Sequence, residues 1–195
     1  METTMKSDQF FKIKLLLGLV LLMVLTRYSA FHTWGLPSAT LAIFFVAGVY
    51  LRQFIYPALL LTTAGLTDYF SIQAGTSDWC ITPAYMFLVP TYLCLWFAGR
   101  QFENLHVRVL KEFTHLAFFL LVSSTAAFII STGSYHLLSG RYDDVPILEQ
   151  AVGSMKYYPR YIGGAFFYMG IFIASVKVKS YLVDISNRHI SSRPN

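Results

Sequence analysis

The sequence predicts an all-α integral membrane protein, a bundle of six transmembrane helices forming a single domain over residues 1–195. Three observations carry this. Hydrophobic residues make up 55% of the chain and charged residues only 13%, with a mean hydropathy of +0.53, a balance outside that of soluble domains. The apolar residues gather into six runs, most of them near the roughly 20 residues an α-helix needs to cross a hydrocarbon layer of about 30 Å. The basic residues fall unevenly between the two sides that six spans define.

The first run, 13–28, ends at Arg27-Tyr28 and not at a small-residue cleavage site, so it reads as a retained helix and not as a signal peptide. The second, 37–51, is short, and Arg52-Gln53 with Pro57 separates it from the third, 54–73. The fourth covers 82–98. The fifth, 113–132, carries Ser123, Ala127 and Ser131 at a spacing of four, and the sixth, 162–182, carries Gly170 and Ala174. Small side chains in such rows let helix backbones approach closely in a membrane. The Gly163-Gly164 pair reads as close packing in preference to a hinge. No 20–50-residue repeat, low-complexity segment or linker divides the chain.

Eleven of the fifteen Lys and Arg residues fall on the side of the termini, and Arg27, Arg141, Lys156 and Arg160 fall on the other. The bias predicts a multi-pass protein with both termini cytoplasmic. The net charge of +5 is accounted for by this bias, and no basic stripe with interleaved aromatics suggests nucleic acid. No Walker motif is present, so the chain is not expected to hydrolyse ATP.

Polar residues at membrane depth are costly and mark functional positions. Four segments meet at the outward end: 27–34 after the first run, 68–85 between the third and fourth, Tyr135-His136 after the fifth, and 157–161 before the sixth. Together they form an aromatic-rich cup. It reads either as an interfacial aromatic belt or, since the inner rim is poorer in Trp and Tyr, as a site for a large, flat ligand. Within it Cys80 lies in the polar stretch Ser77-Asp78-Trp79-Cys80, 14 positions before the other cysteine, Cys94. That separation is about 20 Å along a helix, too far for a disulfide. Cys80 is then either an inert rim residue or a free thiol able to bind a metal.

Six short helices in under 200 residues, with outer loops facing a ligand, resemble the substrate-binding (S) component of an energy-coupling-factor (ECF) vitamin transporter. The segment Trp79-Cys80-Ile81-Thr82-Pro83-Ala84-Tyr85 is similar to the BtuM group of cobalamin-specific S components. The resemblance implies cobalamin binding and uptake across a bacterial cytoplasmic (inner) membrane, with Cys80 as an axial ligand of cobalt. A corrin fills the equatorial positions of cobalt and leaves the axial ones open, and a thiolate is a strong axial donor. Coordination removes the thiol proton. The base of the nucleotide loop then leaves the metal, and sulfur donation labilises a cyanide on the opposite face, so decyanation of cyanocobalamin is an expected activity of Cys80. The resemblance also implies an energising module as partner. The Ala-x-x-x-Ala pair that docks such modules is missing from the first run, where Gly18 is the only small residue, and the sequence agrees better with a solitary transporter.

Tyr85 is expected to lay its ring on the corrin and to give its hydroxyl to an amide side chain. Asp68, the one acid inside a predicted span, either accepts corrin amides or pairs with Arg27 or Arg160. Arg27 and Arg160 are candidates for the phosphate of the nucleotide loop. Tyr28, Trp34, Tyr69, Trp79, Tyr158 and Tyr161 complete the expected wall. Two other classes stay open. A haem-binding membrane cytochrome would use His32 and His136 as axial ligands, and a membrane thiol oxidoreductase would use Cys80, although no Cys-x-x-Cys is present.

Overall fold

The computed structural model describes residues 2–28, 37–78, 81–105, 110–142 and 144–191. Among the described residues the protein is all-helical, 83% helix with no strand. Seven α-helices follow one another among them: α1 (Glu2–Arg27), α2 (Thr40–Tyr50), α3 (Ile55–Gln73), α4 (Leu88–Gly99), α5 (Leu110–Leu138), α6 (Ile147–Ser154) and α7 (Tyr158–Ser191). Short 3-10 turns, Pro83–Phe87 and Met155–Tyr157, lead into α4 and α7.

Each of the six apolar runs is helical, but the expected bundle of six membrane-crossing helices is not matched by their lengths. Among the described residues, three stretches are long and apolar enough to cross a membrane: Asp8–Arg27, Leu110–Leu138 and Ile147–Leu182. Helix α2 has 11 residues, about 16 Å of rise. Helix α4 has 12, extended to 17 by the turn before it. Helix α3 is 19 residues long but carries Thr62, Thr63, Thr67, Asp68, Tyr69 and Ser71.

Helix α2 sits at the centre. Its sequence, TLAIFFVAGVY, is apolar all round and uncharged, the pattern of a helix enclosed on every side. Residues 40–49 are all buried, against α1, α3, α4 and α7. Both ends of α2 are served by neighbours. At the start, the Ala39 amide donates to Thr26 Oγ1 (3.2 Å) and the Thr40 amide to Ser38 Oγ (3.3 Å). At the end, the buried Trp96 indole donates to the Leu51 carbonyl (3.1 Å), and the Leu105 amide donates to Tyr50 Oη (3.0 Å). Trp96 is wholly buried in this role.

The close backbone approach lies where the small-residue rows did not point. A Cβ on Gly48 of α2 would collide with the carbonyl of Trp96, and one on Gly99 of α4 with the carbonyl of Phe45. The two helices therefore touch through their main chains, with Phe44 stacked on Tyr92 (4.8 Å between centroids, planes 16° apart) further along the same seam. Ser123 and Ala127 are buried on α5 as expected, whereas a Cβ on Gly170 would meet nothing within 4 Å and Ala174 is exposed. Of the 163–164 pair, Gly164 is the packed one: its Cβ would fall 2.9 Å from Pro37 Cβ, while Gly163 faces open space.

Gly48→Ala or Gly99→Ala should therefore force α2 and α4 apart and lower stability by roughly 1–3 kcal/mol or more. Gly18→Ala, where the added methyl meets nothing within 4 Å, should be neutral. Thermal unfolding of the detergent-solubilised variants measures the contrast.

Candidate functional site

Because successive long helices run in opposite directions, the ends of α1, α3 and α5 and the beginnings of α2, α4 and α7 come to one end of the bundle. There they surround an open cavity of about 910 Å³, toward the upper limit of the roughly 300–1,000 Å³ typical of ligand clefts. One wall is Arg27 of α1 with Asp68, Ser71 and Ile72 of α3. The 75–88 segment supplies Thr76, Ser77, Ile81, Ala84, Tyr85 and Leu88. The facing wall is Ser131, Thr132, Tyr135 and His136 of α5, then Glu149, Gln150, Gly153 and Ser154 of α6, with Lys156 and Tyr157 of the turn after it.

The base of the cavity is a closed polar cluster. Arg27 grips Asp68 through a planar, two-pronged contact, Nε to Oδ1 and Nη2 to Oδ2, each 2.6 Å. Its remaining nitrogen, Nη1, donates to Tyr92 Oη (2.8 Å) and Thr40 Oγ1 (3.5 Å). Tyr85 Oη donates to Asp68 Oδ2 (2.8 Å). Such forked charge-assisted contacts are the strong class of hydrogen bond, and here five helical segments share them. Of the alternatives open for Asp68, the pairing with Arg27 is the one formed, and Arg160 is exposed outside the cavity wall. Tyr85 lines the cavity as expected, but its hydroxyl is turned to Asp68 and not held free for a ligand amide.

A second cluster holds α6 against α5. Gln150 Nε2 donates to the carbonyls of Tyr142 (2.9 Å) and Val145 (2.5 Å), and Ser154 Oγ donates back to the Gln150 carbonyl (2.8 Å). His136 Nε2 lies 2.6 Å from Ser154 Oγ. The single serine proton is directed to Gln150, so Nε2 carries the imidazole proton. Tyr142 meets the same ring edge-on at 4.6 Å.

Several expected wall residues lie elsewhere. Tyr158 and Tyr161 turn onto α5, both edge-on to Phe128 (5.2 and 5.4 Å), with Tyr158 Oη 2.8 Å from Thr125 Oγ1. They begin α7 one turn apart and face the bundle seam. Tyr69 points away from the cavity against Phe70 and is 57% exposed. Tyr28 is half-buried and outside the wall. Cys80, Trp79, Trp34 and His32 lie outside the described residues, as does His106; the neighbours Ser77 and Ile81, which flank the Cys80 segment, both line the cavity. Cys94 is half-buried in α4, its thiol directed to the Thr91 carbonyl (2.9 Å). Among the described residues no group of three His, Cys, Asp or Glu side chains is disposed to hold a metal ion.

The sequence reading missed Tyr92 and Thr40, which complete the Arg27 cluster, and the contribution of α6. Tyr92 gave little signal because it sits inside an apolar run. The pattern of 147–157, with polar residues at 149, 150 and 154 and Gly153 between them on one face, was a readable helical stripe.

Fold and site together define an all-helical, membrane-type protein with a polar cavity at one end of its bundle. The sequence matches no family model and no curated protein.

The Arg27–Asp68 pair generates a direct test. Asp68→Ala leaves a half-buried guanidinium without its counter-charge and should cost about 3 kcal/mol, while adding Arg27→Met to the same chain should restore part of that loss. A double-mutant cycle by thermal or denaturant unfolding in detergent gives both values, and Asp68→Ala unfolding like the native protein would show that the pair contributes nothing.

Proposed function

We propose that this protein is a vitamin-binding membrane transporter of the S-component type, its six apolar segments crossing the membrane with both termini cytoplasmic, and that it takes cobalamin into its outward cavity. The observation that carries this reading is the cavity of about 910 Å³ flanked by Ser77 and Ile81. The chain between those residues contains Cys80, and in this reading its thiol serves a cleft large enough for a bulky ligand. The hydroxyl, amide and charged groups of α5 and α6 offer partners for a corrin periphery rich in amides. The Arg27 and Asp68 charges neutralise each other below it.

In this reading Cys80, as thiolate, takes an axial position of the bound cobalt, the ligand's own base leaves it, and one proton is released. Cyanide on the opposite face departs as cyanide ion with its electron pair. The solitary form of transport is favoured because the first helix lacks the small-residue pair used to dock an energising module. Haem and disulfide exchange are the competing chemistries. His136, the described histidine of the cavity, has its Nε2 engaged with Ser154 Oγ at 2.6 Å, and Cys94 is held inside α4.

The test is the visible spectrum of protein purified after loading with cyanocobalamin, for the native chain and for Cys80→Ala. Native protein should retain the corrinoid with a displaced, thiolate-type spectrum, and Cys80→Ala should either lose the corrinoid or return the spectrum of free cyanocobalamin. An unaltered cyanocobalamin spectrum in the native protein sinks the ligand assignment and decyanation together. Colourless native protein sinks cobalamin binding, and a Soret band in protein made without added corrinoid points to haem.

A further inference from the structure

Helix α6 is built with its polarity reversed relative to a lid that closes in water. Gln150, Gly153, Ser154 and Lys156 are on the cavity side. Leu148, Val152 and Met155, one ridge at spacings of four and three, are 77%, 66% and 60% exposed. A lid in water turns such a ridge inward. Here the interior is polar and the apolar ridge has no protein against it among the described residues.

Length arithmetic identifies what covers the ridge. The stretch Ile147–Leu182 has 36 residues, about 54 Å as a straight helix, against a hydrocarbon thickness of about 30 Å. Residues 162–182 alone account for roughly 30 Å of it. Residues 147–161 are thus left at the boundary, continuous with a helix that itself exposes Phe167 and Ile171. The α-helical ladder is interrupted there by the Met155–Tyr157 turn and by Pro159, which lacks an amide proton. The same place carries Tyr157, exposed, with the Lys156 ammonium 4.9 Å from its ring centroid, and exposed Arg160. Tyrosine and long basic side chains of this kind settle at headgroup level.

We propose that α6 is an interfacial helix, its Leu148–Val152–Met155 ridge seated in phospholipid at the boundary between headgroups and acyl chains while its polar side forms a wall of the cavity. The wall is then held from both sides. Protein grips it through Ser154 and Gln150, and lipid backs it through the ridge. Amphipathic helices of this type sit about 5–10 Å into the headgroup–acyl boundary.

The proposal is independent of which ligand the cavity takes, and its test needs none. Full-length protein carrying Cys80→Ala and Cys94→Ala receives one new cysteine, by Leu148→Cys, Val152→Cys or Met155→Cys on the ridge, or by Gly153→Cys on the cavity side, where an added Cβ meets nothing within 4 Å. Each is labelled with an environment-sensitive nitrobenzoxadiazole dye and reconstituted in phosphatidylcholine vesicles. Three ridge positions guard against one variant failing to fold, checked by far-ultraviolet circular dichroism. Ridge labels should emit to the blue of the Gly153→Cys label, resist aqueous iodide, and be quenched more by nitroxides near the headgroup than by nitroxides at the chain end. Ridge labels as open to iodide as the Gly153→Cys label, or quenched most by the deep nitroxide, would overturn it. Labels shielded from iodide and lipid nitroxide alike would overturn it in favour of a protein partner, a second copy included.

Discussion

A guanidinium at the end of a long apolar helix is tolerable only with a counter-charge in a fixed geometry, and the bond between Arg27 and Asp68 sets the terms for everything around it. The carboxylate is on α3, so α1 and α3 are tied in register. The donor left over reaches Tyr92 of α4 and Thr40 at the start of α2, and the Tyr85 hydroxyl completes the carboxylate's shell. With each charge answered, the cavity acquires a floor that is polar yet electrically closed. A ligand entering it meets polar walls above a floor whose charges are already paired. Breaking one member would leave an uncompensated charge in a poorly hydrated setting, a costlier change than removing the whole cluster.

The opposite end is ordered by apolar contact. Gly48 and Gly99 bring the α2 and α4 backbones together without side chains between them, and the Trp96 indole closes the last turn of α2. Arg100 lies over the Trp96 ring at 4.8 Å, and Arg52 donates to the Arg100 carbonyl. The bundle thus has a tightly packed end and an open end, and the polar side chains collect at the open one.

Much of this was legible in the sequence. Six apolar runs became helices because a helix satisfies the backbone groups of an apolar segment within the segment itself. The four segments assigned to one end do converge there as far as they are described, since alternating helix direction follows from short connections. The lengths were less legible. Pro37, Ser38 and Ala39 look like the start of the second helix, but they cap it, and α2 begins at Thr40. Glycine packing was misread for a physical reason: a row such as Gly170 and Ala174 is visible within one helix, whereas Gly48 and Gly99 are partners across two helices and no single segment displays them. Whether Asp68 would choose Arg27 or Arg160 depended on which helices are neighbours, which periodicity does not contain. Tyr158 and Tyr161 were placed at the correct height but on the wrong face, because the four-residue repeat that includes Ala165 directs that side of α7 inward.

Helix α2 is enclosed by protein: residues 40–49 are buried against α1, α3, α4 and α7. A segment of 11 residues rises about 16 Å, roughly half a hydrocarbon layer, and gains nothing from standing alone in one. Its seat is finished by Gly164 of α7 closing on Pro37 just ahead of it. The seat of α2 is therefore complete only with a neighbour that lies more than a hundred residues further along the chain. Enclosure of α2 thus joins both halves of the chain in one packing unit.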